Sequence, residues 1–511
     1  MTTPMQLGGL LAELGSARLL RGERETVLTA IEHDSRRAGA GSLFVAVPGY
    51  RVDGHQFLAE VAGRGAAAVL VQADRPKEWS TLPEGPAIIS VPDTRVALAE
   101  AAAWFYRHPG REMVVIGITG TDGKTTTSHF VSSMLEAAGA LAGRLGTVDV
   151  QIAGNAGSMA ARMTTPEATE VQGIMRQMAD AACDYAVIES TSHGLALHRL
   201  DHVEYDVAAF TNITGDHLDF HGTFEAYRDA KGMLFSALDS SLDKGVPKVA
   251  IANADDPSAN FMLGCSTNAS NLRFGLDSTE AEVLARNVIL RSDGSDFRLV
   301  TPRGMAEVSI RLPALFNVAN ALAAAAIGVA LDLDVQTIAR GLGANPGVPG
   351  RMERIVHGQP FEVIVDYAHT GDAVRKVLDV LREVCRGQLI VVVGAAGERD
   401  PGRRYGVARA AAAASDFAVF TNEDPRSEDP GDIVKEIGRH AESAGRTKGR
   451  DYLEIEDRRE AIGVALARAR EGDIVVICGK GHEQSIIVGD QSLPWDDREV
   501  VREELTKLNY R

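Results

Sequence analysis

The sequence predicts an α/β protein of three domains, and three observations support this prediction. The chain has 511 residues, and a domain holds roughly 150 residues. Short apolar runs typical of buried strands alternate with helical patterns along the chain. Two clusters of helix-breaking residues, His108-Pro-Gly110 and Asn345-Pro-Gly-Val-Pro-Gly350, interrupt this alternation. We therefore predict domains at residues 1–108, 109–346 and 347–511.

The first predicted domain is a small α/β unit. Short apolar runs separated by turns are typical of buried strands, and a helical pattern follows them. The predicted strands are 42–47, 66–71 and 87–91, and the predicted helix covers 95–106.

The second and third domains show the alternation of strands and helices that is typical of doubly wound sheets. In the second domain the predicted strands are 113–118, 185–188 and 249–252, with an alanine-rich helix over 316–331. In the third domain the predicted strands are 361–365, 389–393, 417–420 and 474–477. We expect a mainly parallel central sheet and a Rossmann-like C-terminal α/β domain.

The net charge and the cysteine pattern argue against several classes of partner. A formal charge of −17 repels nucleic acid and anionic membranes, although local donors still permit an anionic small molecule. The four cysteines form no C-x-x-C pair, which indicates reduced thiols rather than a zinc site or disulfides. The N-terminus lacks a signal-peptide pattern, and the longest apolar run, 321–331, is too short to span a bilayer. We predict a monomeric cytoplasmic protein without nucleic acid or stable membrane insertion.

A glycine-rich turn, Gly120-Thr-Asp-Gly-Lys-Thr125, lies between a predicted strand and a predicted helix. Backbone N–H groups of such a turn cradle phosphates. The lysine neutralises the β- and γ-phosphates and the threonine holds Mg²⁺. Position 118 is isoleucine where the common pattern has glycine, so the loop is a variant. The alternative is a chance surface turn, but the strand–loop–helix context favours a P-loop ATPase domain. The predicted ATP-binding residues of the loop are Gly120, Thr121, Asp122, Gly123, Lys124, Thr125 and Thr126.

Two further positions carry groups that bind metals. Glu189 ends a predicted strand next to this loop, where a carboxylate is well placed to bind Mg²⁺. His217 and His221 are four residues apart, as in some zinc sites. No further cluster of histidine or cysteine completes a zinc shell, so zinc is the weaker alternative.

These motifs resemble the Mur ligase family, which includes the enzymes of muramyl-peptide synthesis and the folylpolyglutamate synthetases. The resemblance rests on the T-G-T-x-G-K-T loop, on Thr211-Asn-Ile-Thr-Gly-Asp-His-Leu-Asp-Phe-His-Gly222 and on Leu315-Phe-Asn-Val-Ala-Asn320. It implies that His217 contacts a second Mg²⁺ and that Lys231 carries a CO₂-derived carbamate that holds this ion. It also implies that Asn253, Asn317, Arg351 and Asp366 approach ATP. The chain departs from the family pattern at Gly215, Ala314 and Gly371.

The N-terminal signature His33-Asp-Ser-Arg36 resembles the members that add the third residue or the terminal dipeptide. The implied acceptor of the third-residue enzyme is UDP-N-acetylmuramoyl-L-alanyl-D-glutamate, with Ser35 contacting the UDP moiety. Residues implied to bind the muramoyl-dipeptide are Thr164, Thr165, Thr191 and Arg199. Leu197 replaces the glutamine that is usual in that run.

Three C-terminal motifs, Gly397-Glu-Arg-Asp400, Asn422-Glu-Asp-Pro-Arg426 and Gly479-Lys-Gly-His-Glu483, resemble a diamino-acid site. The implied contacts are Arg399, Glu423, Asp424, Pro425, Arg426, Gly479 and Glu483. Each arginine can hold a carboxylate, and Glu483 can pair with an ammonium. Asp424 replaces the asparagine of D-N-P-R, which favours L-lysine or ornithine by Coulomb repulsion of a second carboxylate. Arg426 favours meso-2,6-diaminopimelate, and the choice stays open.

The resemblance implies an ATP-dependent amide ligase of peptidoglycan synthesis that works through an acyl-phosphate. The implied catalytic residues are Lys124, Glu189, His217 and Lys231. One alternative is a sibling ligase with another amino acid, a dipeptide or a folate substrate. Another is a P-loop switch or binding module, which would hydrolyse ATP without any amino acid.

Overall fold

Runs of β-branched and aliphatic residues form the strands of this protein, and amphipathic segments cover them. The computed structural model describes residues 5–49, 52–157, 164–291, 293–400 and 402–510, without the side chains of 156 and 157. The chain divides into two compact units. One comprises Met1–Arg286, Arg298–Val308 and Ala319–Ala344, and the other comprises Asn287–Phe297, Ser309–Val318 and Asn345–Arg511.

The N-terminal part of the first unit contains a five-stranded sheet in the order β2-β7-β6-β5-β4 and a two-stranded sheet of β1 and β3. Strands β4 to β7 pair in parallel, and β2 is antiparallel to β7. The predicted strand 87–91 is β7, and the predicted helix is α4, whose N-cap Asp93 accepts from the backbone N–H groups of Arg95 and Val96. The elements are β1 (Met5–Gln6), α1 (Leu7–Glu13), β2 (Arg18–Arg21), β3 (Val27–Leu28), β4 (Ala30–Glu32), β5 (Ser42–Val45), a 3₁₀ turn (Gly54–Phe57), α2 (Leu58–Gly63), β6 (Ala68–Gln72), α3 (Pro76–Trp79), β7 (Ala87–Val91), α4 (Thr94–Phe105) and a 3₁₀ turn (Pro109–Arg111).

The central sheet has eleven strands in the order β11-β10-β9-β12-β8-β13-β14-β15-β16-β17-β18. Its middle is parallel: Ile116 of β8 lies opposite Val187 of β12 and Val207 of β13. The carboxyl ends of these strands therefore lie along one edge. The elements are β8 (Val114–Thr119), α5 (Lys124–Ala137), β9 (Ala142–Leu145), β10 (Val150–Ile152), β11 (Asn155–Gly157), α6 (Ala168–Asp180), β12 (Tyr185–Glu189), α7 (Ser192–Ala196), β13 (Val207–Phe210), α8 (Leu218–His221), α9 (Phe224–Ser240), β14 (Val249–Asn253), α10 (Ala259–Leu263), β15 (Ser270–Gly275), β16 (Val283–Arg291), β17 (Gly294–Thr301), β18 (Gly304–Ile310), α11 (Leu315–Ala330) and α12 (Val335–Ala344).

The C-terminal part of the second unit contains a six-stranded sheet in the order β19-β20-β24-β21-β22-β23. All pairs are parallel except that of β19 and β20. The elements are β19 (Glu353–Arg354), β20 (Glu362–Asp366), α13 (Gly371–Val384), β21 (Leu389–Val393), α14 (Gly402–Ala414), β22 (Phe417–Phe420), α15 (Pro430–Ser443), β23 (Tyr452–Glu454), α16 (Arg458–Arg468), β24 (Ile474–Cys478), β25 (Ser485–Val488), β26 (Gln491–Pro494) and α17 (Asp497–Lys507).

The predicted mainly parallel central sheet and Rossmann-like C-terminal domain are confirmed. Every residue of β21 is 0% exposed, and burial of each such side chain contributes about 1.5–3 kcal/mol relative to exposure. This explains why continuous apolar runs identified the central strands. Within the described part of the chain, no helix is both long and apolar enough to cross a membrane.

Candidate active site

The phosphate loop joins the end of β8 to the start of α5. Gly123 has φ of +87°, and a Cβ atom there would collide with Oδ1 of Asn320. Asn212, in the loop after β13, supports the turn with two hydrogen bonds. Its side-chain Oδ1 accepts the backbone N–H of Asp122 at 3.0 Å, and its backbone oxygen accepts the backbone N–H of Thr121 at 2.8 Å. Neighbouring groups therefore hold the loop in shape, and the N-terminal N–H groups of α5 point toward it.

Two lysines converge on one carbonyl of this loop. Lys124 Nζ donates to Gly120 O at 2.8 Å and to Thr121 O at 2.9 Å. Lys231 Nζ, on α9, donates to the same Gly120 oxygen at 2.7 Å and lies 4.4 Å from the ring centroid of Tyr227. The Lys231 side chain is buried, and burial, followed by the charge of Lys124, holds its pKa well below the ordinary value. Lys231 therefore loses its proton more readily than an exposed lysine does.

Glu189 is a buried carboxylate at the carboxyl end of β12. Its Oε2 accepts the hydroxyls of Thr125 at 3.0 Å and Thr147 at 2.8 Å. Its Oε1 accepts the backbone N–H of Thr147 at 3.2 Å and the hydroxyl of Ser128 at 3.4 Å. These donors are neutral, and the oxygens of Glu189 and Thr125 form a hard ligand set of the type that Mg²⁺ prefers.

The four threonine and arginine positions predicted to bind a dipeptide lie together around Glu189. Thr165 Oγ1 donates to Glu189 O at 3.0 Å and accepts the hydroxyl of Thr191 at 2.9 Å. Thr164 Oγ1 lies 3.1 Å from Thr147 Oγ1. Arg199 donates to Thr165 O at 3.2 Å.

Glu167 anchors this arginine. Its Oε1 lies 2.7 Å from Nη2 of Arg199, and its Oε2 lies 3.9 Å from Arg95 of α4. The same glutamate forms a capping box with Glu170 at the start of α6. The acidic N-cap therefore fixes both the helix and the guanidinium beside the threonines.

Three histidines cluster near the loop. His217 has φ of +53° at the start of α8, and its ring lies edge-on to His193 at 4.7 Å between centroids. His221 Nε2 lies 3.0 Å from Ser192 Oγ. Burial and the neighbouring histidines lower the pKa of His193 to about 4, so its ring is neutral at pH 7. Burial also lowers the pKa of His217, and a neutral imidazole is the form that binds metals.

Other predicted contacts are placed as follows. Ser35 is buried, and its backbone oxygen accepts from Arg64 at 2.7 Å. Asn253 ends β14 and donates to Thr211 O at 2.9 Å, beside the phosphate loop. Asn317, in the second unit, is buried and donates to Pro313 O at 2.7 Å.

The second unit has its own cluster of polar groups at the carboxyl ends of parallel strands. Asp366 ends β20 and accepts the backbone N–H groups of Met352 at 2.7 Å and Ala368 at 2.8 Å. The guanidinium of Arg351 lies 4.6 Å from the ring centroid of Tyr367. The buried Nε of Arg351 has no hydrogen-bond partner within the described residues, which leaves a donor for a ligand.

Acidic groups surround one buried lysine next to this cluster. Lys480 Nζ lies 2.8 Å from Asp424 Oδ1 and 2.5 Å from Glu483 Oε2. Asp424 Oδ1 also accepts the backbone N–H of Ile487 at 2.9 Å. The extra charge of Asp424, which sequence reasoning assigned to repulsion of a ligand carboxylate, is thus offset by Lys480.

Glu423 is a buried acid of this cluster. Its Oε2 has no hydrogen-bond partner among the described residues and faces Gly479, where a Cβ atom would lie 2.9 Å away. Burial raises the pKa of Glu423 to about 7. This carboxyl group is therefore available to a ligand that brings a positive charge.

The loops that follow β22 and β24 are held together by Arg458, which donates to Asn422 O at 3.2 Å and to Cys478 O at 2.9 Å. Asp497 pairs with Arg458 at 2.6 Å, and their side chains are 0% and 1% exposed respectively. Trp495 Nε1 donates to the same aspartate at 2.9 Å.

Three predicted contacts lie at the rim of this cluster. Pro425 is buried, and Arg426 has φ of +55° with a buried Nε that no described residue accepts. Arg399 is exposed on the loop before α14, and no ion pair within the described residues holds it. These arginines therefore leave donors for carboxylates.

Sequence reasoning missed four residues of these sites: Thr147, Glu167, Asn320 and Arg458. Asn320 stood in a quoted motif, and its spacing from Asn317 was the available signal. Glu167 also stood in a motif, Met163-Thr-Thr-Pro-Glu167, but its partners were not predicted. Thr147 and Arg458 are single residues in a turn and at a helix start, where no sequence pattern indicates their partners.

The strand–loop–helix cradle at the carboxyl edge of a mainly parallel sheet defines a P-loop α/β protein. The chain matches three family descriptions: "Mur ligase family, catalytic domain" at residues 27–106, "Mur ligase middle domain" at 118–328 and "Mur ligase, glutamate ligase domain" at 350–481. The chain belongs to the Mur ligase family and has its three-domain architecture.

Individual relatives span nearly the whole chain. UDP-N-acetylmuramyl-tripeptide synthetase of Roseiflexus sp. (strain RS-1) is 45% identical, covering 94% of this chain and 95% of the relative. UDP-N-acetylmuramoyl-L-alanyl-D-glutamate--2,6-diaminopimelate ligase of Bacillus licheniformis is 41% identical, covering 99% and 100%. A solved structure of a UDP-N-acetylmuramoyl-L-alanyl-D-glutamate--2,6-diaminopimelate ligase is 28% identical, with a TM-score of 0.68 and 100% of both chains covered.

Proposed function

We propose that this chain is a UDP-N-acetylmuramoyl-tripeptide synthetase. It uses ATP to join a diamino acid to UDP-N-acetylmuramoyl-L-alanyl-D-glutamate, in the cytoplasm and as a monomer. Its domains comprise residues 1–108, 109–346 and 347–511, which bind the UDP-sugar, ATP and the amino acid respectively. Membership of the Mur ligase family and the names of two relatives at 41% and 45% identity support this proposal.

One observation of the structure carries the proposal: Glu189 joins the phosphate loop to the predicted acceptor threonines. Its carboxylate accepts from Thr125 of the loop, and its backbone oxygen accepts from Thr165. A terminal phosphate at the loop and a carboxylate held by Arg199 would thus lie on two sides of one residue. Such placement converts a bimolecular encounter into an oriented reaction.

The residues present fit Mg²⁺ and a carbamate. Thr125 and Glu189 would hold one ion, and His217 with carbamylated Lys231 would hold a second. When bound, Mg²⁺ neutralises charge on the phosphate oxygens. The buried Lys231 amine with a lowered pKa is suited to attack CO₂, which forms the carbamate and releases a proton.

The reaction has two steps. A carboxylate oxygen of the acceptor's glutamate attacks the γ-phosphorus, the bond to the β,γ-bridging oxygen breaks, and ADP leaves. The free amine of the diamino acid then attacks the acyl carbon, phosphate leaves with the bonding electrons, and the amine loses a proton. Lys124 offsets the negative charge that develops on the phosphate oxygens.

The C-terminal cluster binds the amino acid. Arg399 and Arg426 hold carboxylate, whereas Glu423 and Glu483 attract ammonium. Because Lys480 already offsets Asp424, the acid that distinguishes ligands is Glu423, whose Oε2 has no hydrogen-bond partner among the described residues.

ADP release tests the proposed function. Purified protein is mixed with ATP, Mg²⁺ and the acceptor, together with L-lysine, ornithine or meso-2,6-diaminopimelate in separate reactions. We expect sustained ADP release only when the acceptor and one of these amino acids are both present. Equal release without an amino acid would instead indicate a P-loop switch.

Lys124→Ala provides the site control. We expect ADP release to fall by at least roughly 100-fold, since a preorganised charge in such a site is worth that much or more. Lys435→Ala, on the exposed surface of α15, should leave the rate unchanged. Normal turnover by Lys124→Ala would contradict the role of the phosphate loop.

A further inference from the structure

We propose that Thr147 is a positioning residue that couples the nucleotide site to the acceptor site. This proposal rests on the proposed function. Thr147 lies in the turn between β9 and β10, outside the phosphate loop and outside every motif found in the sequence. Its hydroxyl contacts three groups: Thr125 donates to it at 3.3 Å, and it lies within hydrogen-bond distance of Glu189 and Thr164.

The turn is built to approach Glu189 closely. A Cβ atom at Gly146 would collide with Oε1 of Glu189, so only glycine permits this path. An ion pair joins the two sides of the turn: Nη2 of Arg144 lies 2.8 Å from Oδ1 of Asp149. Thr147 then contacts both carboxylate oxygens, one through its backbone N–H and one through its hydroxyl.

The Thr147 hydroxyl has one proton and two acceptors within reach. Oε2 of Glu189 lies at 2.8 Å and Oγ1 of Thr164 lies at 3.1 Å. A hydroxyl donates only one hydrogen bond at a time. Bonds to an ionised carboxylate are shorter and stronger than bonds between neutral groups. When no cation is bound to Glu189, the hydroxyl of Thr147 therefore donates its proton to Glu189.

This competition changes when Glu189 is engaged by a cation that accompanies the nucleotide. The carboxylate then attracts the Thr147 proton less, and Thr147 donates to Thr164 instead. Thr164, once it accepts this bond, directs its own proton outward and can donate to the acceptor's carboxylate beside Arg199. Thr147 thus links occupancy of one site to the hydrogen bonding of the other.

The neighbouring hydroxyl of Thr165 cannot switch between two acceptors in this way. Its proton goes to Glu189 O, and its oxygen accepts both the hydroxyl and the backbone N–H of Thr191, at 2.9 and 3.4 Å. Its hydrogen-bonding capacity is filled, and the side chain is buried. The choice between two acceptors is thus a property of Thr147 rather than of Thr165.

Calorimetry tests the coupling without turnover. The dissociation constant of UDP-N-acetylmuramoyl-L-alanyl-D-glutamate is measured with and without a non-hydrolysable ATP analogue and Mg²⁺. We expect the analogue with Mg²⁺ to tighten acceptor binding by about 10-fold, within the usual range of coupling between sites. The acceptor should tighten nucleotide binding by the same factor, and EDTA should remove the effect.

Thr147→Val removes the hydroxyl at nearly constant shape and should reduce this factor to below about 3-fold. Thr147→Ser keeps the hydroxyl and should retain the factor of the unmodified protein. Thr164→Val breaks the same link from its other end, so the double variant should lose no more coupling than either single variant. The melting temperature and the nucleotide affinity measured without acceptor show whether each variant is folded. If Thr147→Val does not fold, Thr164→Val replaces it in the coupling measurement.

The outcomes separate the two proposals. Failure of the unmodified protein to bind the acceptor at all overturns the proposed function and this inference with it. Acceptor binding without any effect of the nucleotide overturns the inference alone. Full coupling in Thr147→Val, or its loss in Thr147→Ser, also overturns it.

Discussion

Nζ of Lys480 lies 2.8 Å from Oδ1 of Asp424, and the lysine side chain is 1% exposed. Replacement of Lys480 by methionine leaves the buried Asp424 and the partly exposed Glu483 without their cation. We expect the free energy of unfolding to fall by about 3–5 kcal/mol, as for other broken buried pairs. Urea denaturation measures this change. Lys435→Met, which breaks the exposed pair with Asp432, should cost under about 1 kcal/mol, and equal losses would contradict the prediction.

Glu423→Gln should change how stability depends on pH. Burial raises the pKa of Glu423 to about 7, against roughly 4.3 in an unfolded chain. Between these values the folded protein binds more protons than the unfolded chain, so this residue's contribution to stability falls as pH rises through 7.

Glutamine has no such proton to lose, so the variant should gain stability relative to the unmodified protein between pH 5 and pH 8. Urea denaturation at both values measures this difference. Glu471→Gln, on the exposed loop before β24, is the control and should leave the slope unchanged. An identical pH slope in the Glu423 variant would refute the prediction.

Gly123→Ala should weaken nucleotide binding. Gly123 and Gly139 stand near the two ends of α5 with φ of +87° and +80°. Alanine in this region costs about 1–2 kcal/mol at either site. Only at Gly123 would the new Cβ atom also collide with Asn320. Binding of a fluorescent ATP analogue should therefore weaken by more than tenfold in Gly123→Ala and remain normal in Gly139→Ala.

Lys231→Ala should be inactive and partly restored by formate or acetate. The small carboxylate would replace the anionic carbamate in the space that the side chain leaves. ADP release at increasing formate concentration measures this rescue, with chloride at equal ionic strength as the control. Full activity of Lys231→Ala without any added anion would remove the carbamate from the proposal.

The parallel strands and the phosphate loop were predictable from sequence because their signals are local. Strand 389–393 is apolar throughout since both faces of the sheet are covered, and β21 has these bounds. Gly120 and Lys124 were predicted from their spacing after an apolar strand. Strands β16 to β18 were not predicted, since β16 alternates irregularly between buried and exposed residues and gives a weak period.

The side-chain partnerships were not predictable for a different reason. Lys480 stood within a recognised motif, yet its pairing with Asp424 depends on two loops that are 56 residues apart in sequence. Thr147 depends similarly on Glu189, 42 residues away. The motifs therefore predicted the loops that carry these residues, but not that Lys480 offsets the charge of Asp424.

Arg458 has a consequence for redesign of this protein's amino-acid preference. Its guanidinium holds the backbone oxygens of both Asn422 and Cys478. The segments that carry Glu423 and Glu483 are therefore fixed relative to each other. If only one of these segments were replaced by that of a homologue, its position would still be set by the Arg458 contacts of this protein. Transplants that exchange both segments together with the Arg458–Asp497 brace are the ones that should preserve the donor's selectivity.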